Sequence, residues 1–156
     1  SRGVSTDSIT ALSVFQQYKA AVGGERIWCG KYAQIFNLFA NAAKIKNRYI
    51  EIRQSYGAVS GGVHVFNEYY LPGKKKWAAI DIMFHNIAYV DAAGNLLNAV
   101  EVKNADPGDG SVSVLQSSFN GSFISRPFAQ LEPDFFDCYG PARSLYYYYN
   151  ICLHHQ

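Results

Sequence analysis

Apolar residues recur every three or four positions in two stretches near the start of the chain. The first stretch covers residues 6–22, follows a cluster of capping residues at 5–7 and stops at Gly23-Gly24. The second begins after Gly30 and fades near Lys44. The pattern therefore predicts two amphipathic helices, one in each stretch.

Further along, the apolar period falls to two residues, which is typical of β-strands. The segments RYIEI at 48–52 and VHVFNEYYL at 63–71 have this period. Pro72-Gly73 separates the second of them from KWAAIDIMF at 76–84, so these two segments predict an antiparallel hairpin.

The second half of the chain has weaker patterns. Residues 87–102 predict a further hairpin or a strand that leads into a loop, residues 104–110 predict a loop, and residues 111–116 predict a strand. The tyrosine-rich segment 144–153 is compatible with a strand or a helix. Because helices come first and strands mostly follow, the sequence predicts a single α+β domain over residues 1–156.

Composition places the chain among ordinary globular proteins. With 156 residues, of which 49% are hydrophobic and 17% charged, it can bury a core without disulfides or a metal. No apolar run is long enough to span a membrane, and the N-terminal residues lack the apolar centre of a signal peptide. We therefore expect a soluble protein, secreted or periplasmic if a leader has been removed.

The charge balance argues against a nucleic-acid partner. Lysine and arginine number 14 against 12 acidic residues, and the single basic run, at 74–76, lies beside a predicted hairpin tip. A stable complex with nucleic acid needs many phosphate contacts. We therefore expect no nucleic-acid partner.

Cys29 stands just before the apolar stripe of the second predicted helix, where a helix N-terminus would lower the pKa of its thiol. His64 lies on the first strand of the predicted hairpin and Asp81 on the second. A histidine in reach of the cysteine would exchange its proton, and an aspartate on the far ring nitrogen would fix the ring. These three residue types predict a nucleophilic cysteine site.

Strand numbering offers two registers for the hairpin. A two-residue loop would place Leu71 opposite Lys74 and His64 opposite Asp81. A four-residue loop would instead place Asp81 opposite Phe66, diagonal to His64. Both registers keep His64 and Asp81 on one face, because side chains alternate with a period of two. A one-residue shift, or a three-residue loop with a bulge, would separate them.

Three other residues are candidates near this site. Glu68 shares the face of His64 but lies ~13 Å along the strand, so we interpret it as structural or substrate-facing rather than as the orienting carboxylate. His85 follows Asp81 closely and could approach from the end of the strand. Trp28 is a candidate for lining the cleft, and core packing is an equally good interpretation.

Neither a metal site nor a specific disulfide is required by the sequence. The spacings CxxC, HxxxH and HExxH do not occur, and no cofactor or metal is expected. Of the three cysteines, Cys138 and Cys152 could pair in an oxidising compartment and leave Cys29 reduced.

Taken together, the motifs over about residues 25–91 resemble the core of the transglutaminase-like superfamily of cysteine enzymes, which includes the peptide N-glycanase branch. The resemblance lies in a Cys-Gly at a helix start, an Arg-Tyr strand, a His-x-x-x-Glu-x-Tyr strand and a Trp-x-x-x-Asp strand. The matching residues are Cys29-Gly30, Ala33, Arg48-Tyr49, His64, Asn67-Glu68, Tyr70, Trp77 and Asp81.

The resemblance implies a papain-like fold, in which a cysteine-bearing helix packs on an antiparallel sheet. It also implies Cys29 as nucleophile, His64 as general base and acid, and Asp81 as the partner of the histidine. The expected activity is acyl transfer from an amide of a protein or peptide substrate through a thioester. Hydrolysis, as by a protease, amidase or deamidase, is favoured over amine cross-linking. The alternative is a non-catalytic binding or scaffold domain that keeps the fold.

Overall fold

The computed structural model describes residues 7–53, 63–105, 110–118, 122–127 and 149–151. Four helices occur in these ranges: α1 (Asp7–Thr10), α2 (Val14–Val22), α3 (Cys29–Ala42) and α4 (Ala99–Asn104). The strands are β1 (Asn47–Arg53), β2 (Val63–Leu71), β3 (Lys76–Ile80), β4 (Asn86–Asp91), β5 (Val112–Ser117), β6 (Phe123–Pro127) and β7 (Tyr149–Ile151). This mixture of helices and antiparallel sheets confirms the predicted α+β class.

The first predicted helix is divided in two at Ser13. The hydroxyl of Ser13 accepts a hydrogen bond from the amide of Gln16, and the Gln16 side chain accepts one from the amide of Ser13 at 3.0 Å. This capping box starts α2 and separates it from the single turn of α1. The apolar period alone does not show the break, because Ile9 stays buried on the same side of the molecule as α2.

The helix that carries Cys29 is held on two sides. Ile35 packs with Ile9 and Ile27 in a small apolar cluster between α3 and the first two helices. At its C-terminal half α3 is tied to β1 by a closed ring of amide hydrogen bonds. Asn37 donates to Asn47 at 2.7 Å, Asn47 to Asn41 at 2.9 Å, and Asn41 to Asn37 at 3.0 Å. These contacts fix the direction in which the N-terminus of α3 points.

Two antiparallel sheets make up the strand part of the described chain. One has the strand order β3-β2-β1-β7 and the other the order β4-β5-β6. A buried cluster lies between them, to which β1 and β2 contribute Ile50, Ile52 and Phe66, and β4 and β5 contribute Tyr89 and Val114. The two sheets therefore share one core.

The β2–β3 hairpin has the four-residue register. Leu71 pairs with Lys76 and Asn67 pairs with Ile80, so the two-residue register with Leu71 opposite Lys74 is wrong. The loop contains a short 3-10 turn at Pro72–Lys74, and Lys75 has a left-handed backbone with φ 49°. Because proline fixes φ near −65°, it suits this turn and not the positive φ that a two-residue loop needs at its first central position.

The segment after Ile80 departs from the predicted strand. β3 ends at Ile80, and a second 3-10 turn at Ile82–Phe84 replaces the strand that the pattern indicates to residue 84. Past β4, the chain turns back and forms one antiparallel bridge between Val90 and Leu96, so residues 87–102 contain a short hairpin-like return and not a second full strand. The helix α4 then begins with a capping box between Asn98 and Glu101. The predicted strand at 111–116 is present as β5.

Part of the C-terminal prediction can be located. Residues 149–151 form β7, which pairs with β1. Cys138, Cys152 and most of the tyrosine-rich segment lie outside the described residues, as do 106–109 of the predicted loop. Among the described residues, no helix has the length and apolar character to cross a membrane.

Candidate active site

Cys29 occupies the first residue of α3. Trp28 before it has an extended backbone, with φ −93° and ψ 175°, and supplies no side-chain cap to the helix. The amides of Lys31 and Tyr32 donate to the carbonyl of Trp28. The first turn of α3 thus differs from those of α2 and α4, whose N-terminal amides are occupied by capping boxes. The N-terminus of α3 therefore has no side-chain cap, and the Gly30 amide donates to the thiol of Cys29.

His64 and Asp81 form a buried ion-pair contact at the point where β3 ends. The His64 Nε2 and the Asp81 Oδ2 are 2.6 Å apart, and each side chain is only 1% exposed. A carboxylate can only accept, so Nε2 carries the proton and donates it to Oδ2. The period-of-two argument predicts that these two side chains share a face, and the distance between them agrees with it.

The thiol of Cys29 has a hydrogen bond with the ring of His64. Burial raises the pKa of this thiol, but the hydrogen bond from His64, the positive charge of its ring and the amides of Val65 and Gly30 lower it, and the net pKa lies below the usual value. Because Nε2 is engaged by Asp81, the ring nitrogen that remains for the thiol is Nδ1. The three side chains therefore form one hydrogen-bonded series.

Asp81 is held by its own backbone surroundings as well as by His64. Its Oδ1 accepts a hydrogen bond from the amide of Met83 at 3.2 Å, as the N-cap of the 3-10 turn. Its backbone exchanges two hydrogen bonds with Asn86, at 2.7 and 2.9 Å. One carboxylate oxygen thus positions the aspartate while the other faces the histidine.

Two phenylalanines enclose the imidazole ring. Phe66 stacks near it with a centroid distance of 5.8 Å, and Phe84 lies at 5.4 Å with tilted planes. Both phenylalanines are buried. Apolar walls keep water from the His64–Asp81 pair, which strengthens the interaction between them.

Trp28 lies over the start of α3. A Cβ placed on Gly30 would come within 3.2 Å of the indole Nε1, so the indole packs directly on the glycine. The tryptophan remains 39% exposed. This exposure does not match the core-packed alternative, and the indole lies at the surface next to Cys29 in the sequence.

Glu68 is a structural group rather than a group facing the thiol. Its carboxylate is buried, with Oε2 accepting from Arg48 Nε at 2.7 Å and Oε1 accepting from the Ala99 amide at 2.6 Å. It therefore neutralises Arg48 and stabilises the first residue of α4. Both oxygens of the Glu68 carboxylate are therefore occupied by partners other than His64.

His85 lies at the surface end of the turn that Asp81 begins. It has a left-handed backbone with φ 60°, and its carbonyl accepts a hydrogen bond from the amide of Ser117. The side chain is exposed. Its backbone therefore links the turn after Asp81 to β5.

Three contributors to the site are not evident from the sequence. The amide of Val65 reaches the sulfur only because β2 extends past the end of β3, and that length difference has no residue signature. Phe84 and the amide of Met83 belong to a 3-10 turn in a segment whose apolar pattern predicts a strand. Phe66, in contrast, follows from the two-residue period of β2.

Among the described residues, no group of three or more His, Cys, Asp or Glu side chains is arranged to hold a metal ion. Comparisons of the chain with protein-family models, with curated proteins and with solved structures found no match.

Proposed function

We propose that this chain is a cysteine enzyme of the transglutaminase-like type, which cleaves an amide through a thioester on Cys29. The observation that carries the proposal is the series Cys29–His64–Asp81, with a thiol pKa below the usual value and a His64–Asp81 distance of 2.6 Å. A thiolate paired with an imidazolium is the reactive form of a cysteine nucleophile. The proposal is further supported by the packing of the helix that begins at Cys29 against the sheet that carries His64.

In the first step the Cys29 thiolate attacks the amide carbonyl carbon, and the carbonyl electron pair moves to oxygen. The backbone amide of Cys29, at the uncapped end of α3, is the proposed donor to this oxyanion. When the C–N bond breaks, the leaving nitrogen takes the proton from His64. The products of this step are an amine or ammonia and a thioester on Cys29.

In the second step His64, now neutral, accepts a proton from water as the water oxygen attacks the thioester carbonyl. The C–S bond breaks, a carboxylic acid leaves, and the thiolate and the protonated ring are restored. Asp81 orients the ring and stabilises its positive charge throughout. An amine in place of water would give a new amide by the same proton movements, and hydrolysis is the favoured outcome.

The test is to incubate reduced protein with a library of glutamine- and asparagine-containing peptides, with and without a primary amine. Mass spectrometry then compares ammonia release, peptide cleavage and amine incorporation. We expect product in the amine-free arm, and none from Cys29→Ala. If protein with a confirmed reduced thiol gives no product in either arm, the binding or scaffold alternative replaces the enzyme proposal.

A further inference from the structure

One end of the four-stranded sheet gathers cationic side chains far from Cys29. Two chain segments meet there: the connection from α3 into β1, and the turn between β2 and β3. They are neighbours because the amide of Tyr70 donates to the carbonyl of Lys46 at 2.8 Å, and because β1 and β3 both pair with β2. The cationic end, as we name it, consists of Lys44, Lys46, Arg48, Lys74, Lys75 and Lys76.

Most of this charge is not neutralised within the described chain. Arg48 is paired with Glu68, and Lys76 with Glu101 at 2.9 Å. The remaining four lysines have no ion pair among the residues that the structure describes. Among the described residues, this end of the sheet therefore carries a local excess of positive charge.

The surface at the cationic end is concave and partly apolar. An open pocket of about 350 Å³ is lined by Asn41, Lys44, Ile45 and Lys46. Ile45 is 44% exposed. A pocket with two cations around an exposed isoleucine suits a peptide that carries acidic side chains next to an apolar one.

The aromatic rings near the cationic end each have a cationic side chain of this protein over one face, which leaves less ring surface for a nucleic-acid base to stack on. The guanidinium of Arg48 lies 4.1 Å from the centroid of the Trp77 ring, and the ammonium of Lys46 lies 5.1 Å from that of Tyr70. These cations cover ring faces that a nucleic-acid base would need. Four unpaired lysines also supply fewer phosphate contacts than stable nucleic-acid complexes use. Charge complementarity therefore favours an acidic peptide.

We propose that the cationic end docks an acidic segment of the protein whose amide reaches Cys29. That this protein is a substrate rests on the proposed function, but docking itself needs no chemistry at Cys29. His64 and Tyr70 lie six residues apart on β2, about 20 Å along a strand. An extended substrate therefore carries its acidic segment at least about six residues from the reacting amide.

The test measures binding by fluorescence anisotropy, with Cys29→Ala protein and a labelled twelve-residue peptide that contains alternating glutamates and one leucine. The double variant Lys44→Gln/Lys75→Gln is compared with Lys19→Gln/Arg26→Gln, which removes the same charge from exposed positions elsewhere. We expect the first variant to bind the peptide about four- to twentyfold more weakly, and the second to change binding less than about twofold. Thermal unfolding confirms that both variants are folded.

Two further probes decide the class of partner. A peptide with glutamine in place of every glutamate is expected to lose binding, and raised salt is expected to weaken binding of the acidic peptide. Equal loss in the two double variants, undiminished binding of the glutamine peptide, or tighter binding of a twelve-nucleotide single strand at the same salt would each overturn the proposal.

The binding assay and the activity assay can refute the docking proposal and the enzyme proposal independently of each other. Acidic-peptide binding without any acyl transfer would contradict the enzyme proposal and leave the docking surface standing. Acyl transfer with no preference for acidic peptides, together with no binding, would contradict docking and leave the enzyme proposal standing. If both hold, Lys44→Gln/Lys75→Gln raises KM for a peptide with a distant acidic segment and leaves kcat unchanged.

Discussion

Replacement of Asp81 by asparagine tests whether the buried carboxylate activates the thiol. In the native site Oδ1 accepts from the Met83 amide and Oδ2 accepts from His64 Nε2. An asparagine that keeps its oxygen on Met83 must turn its NH₂ group toward Nε2. Nε2 then has to accept, so the ring proton moves to Nδ1 and points at the thiol, and His64 can no longer take the thiol proton.

The size of the effect follows from the contact that is lost. A hydrogen bond to a charged group contributes about 1.5–3 kcal/mol, which corresponds to about one to two pKa units on the thiol. We therefore expect the pH midpoint of Cys29 alkylation to rise by about one to two units in Asp81→Asn. The alkylation rate at neutral pH is expected to fall by at most the same factor of about 10 to 100, and by less where the native midpoint lies below neutral pH.

The assay follows iodoacetamide labelling from pH 5 to 9 by mass spectrometry of the Cys29 peptide, so that labelling of Cys138 or Cys152, where either is reduced, is not counted. Asp91→Asn is the matched control. Asp91 is a carboxylate at the start of the turn after β4. Its Oδ1 accepts from the Ala93 and Asn95 amides, and the oxygen of an asparagine can accept the same two bonds, so only the contact of Oδ2 with the Asn95 side chain changes. An unchanged midpoint in folded Asp81→Asn protein would refute the assignment of Asp81 to thiol activation.

Two further substitutions separate the shape of the site from its support. Gly30→Ala places a methyl group within 3.2 Å of the indole of Trp28, so we expect reduced amide-substrate turnover with unchanged thermal stability, whereas Gly73→Ala, whose added Cβ meets nothing within 4 Å, changes neither. Normal turnover in Gly30→Ala would contradict a role for the indole in the cleft. Glu68→Gln leaves Arg48 without its counter-charge and is expected to lower the free energy of unfolding by about 2–3 kcal/mol in urea titrations, without a shift of the alkylation midpoint. A shifted midpoint in Glu68→Gln would show that this carboxylate acts on the thiol.

The parts of the site that follow from the sequence are those fixed by strand and helix periods. His64 and Asp81 share a face in either hairpin register, so their approach needs only the two-residue alternation of side chains. Cys29 precedes the stripe of its helix, and this places it at the N-terminus. The register itself depends on how Pro72 and Gly73 turn, which the period does not encode.

The parts that do not follow depend on local backbone hydrogen bonds. Ser13 divides a helix whose apolar spacing is continuous, because its hydroxyl satisfies an amide of the next turn. Asp81 ends a strand in the same way, since its carboxylate caps the 3-10 turn inside an apolar run that otherwise reads as extended. In both places a short polar side chain competes with the hydrophobic pattern and decides the local structure.

The unequal length of β2 and β3 has a consequence for any stabilisation of the hairpin. A strand edge without a partner usually invites pairing with another chain. Here the register that joins Asn67 to Ile80 would, if continued, join Val65 to residue 82, and the amide of Val65 would then bind β3 instead of the sulfur of Cys29. A hairpin lengthened by two residue pairs would form additional hydrogen bonds between β2 and β3, but the Cys29 sulfur would no longer receive the hydrogen bond from the Val65 amide. Under the proposed function, the most direct way of stabilising this sheet would therefore weaken the activation of Cys29.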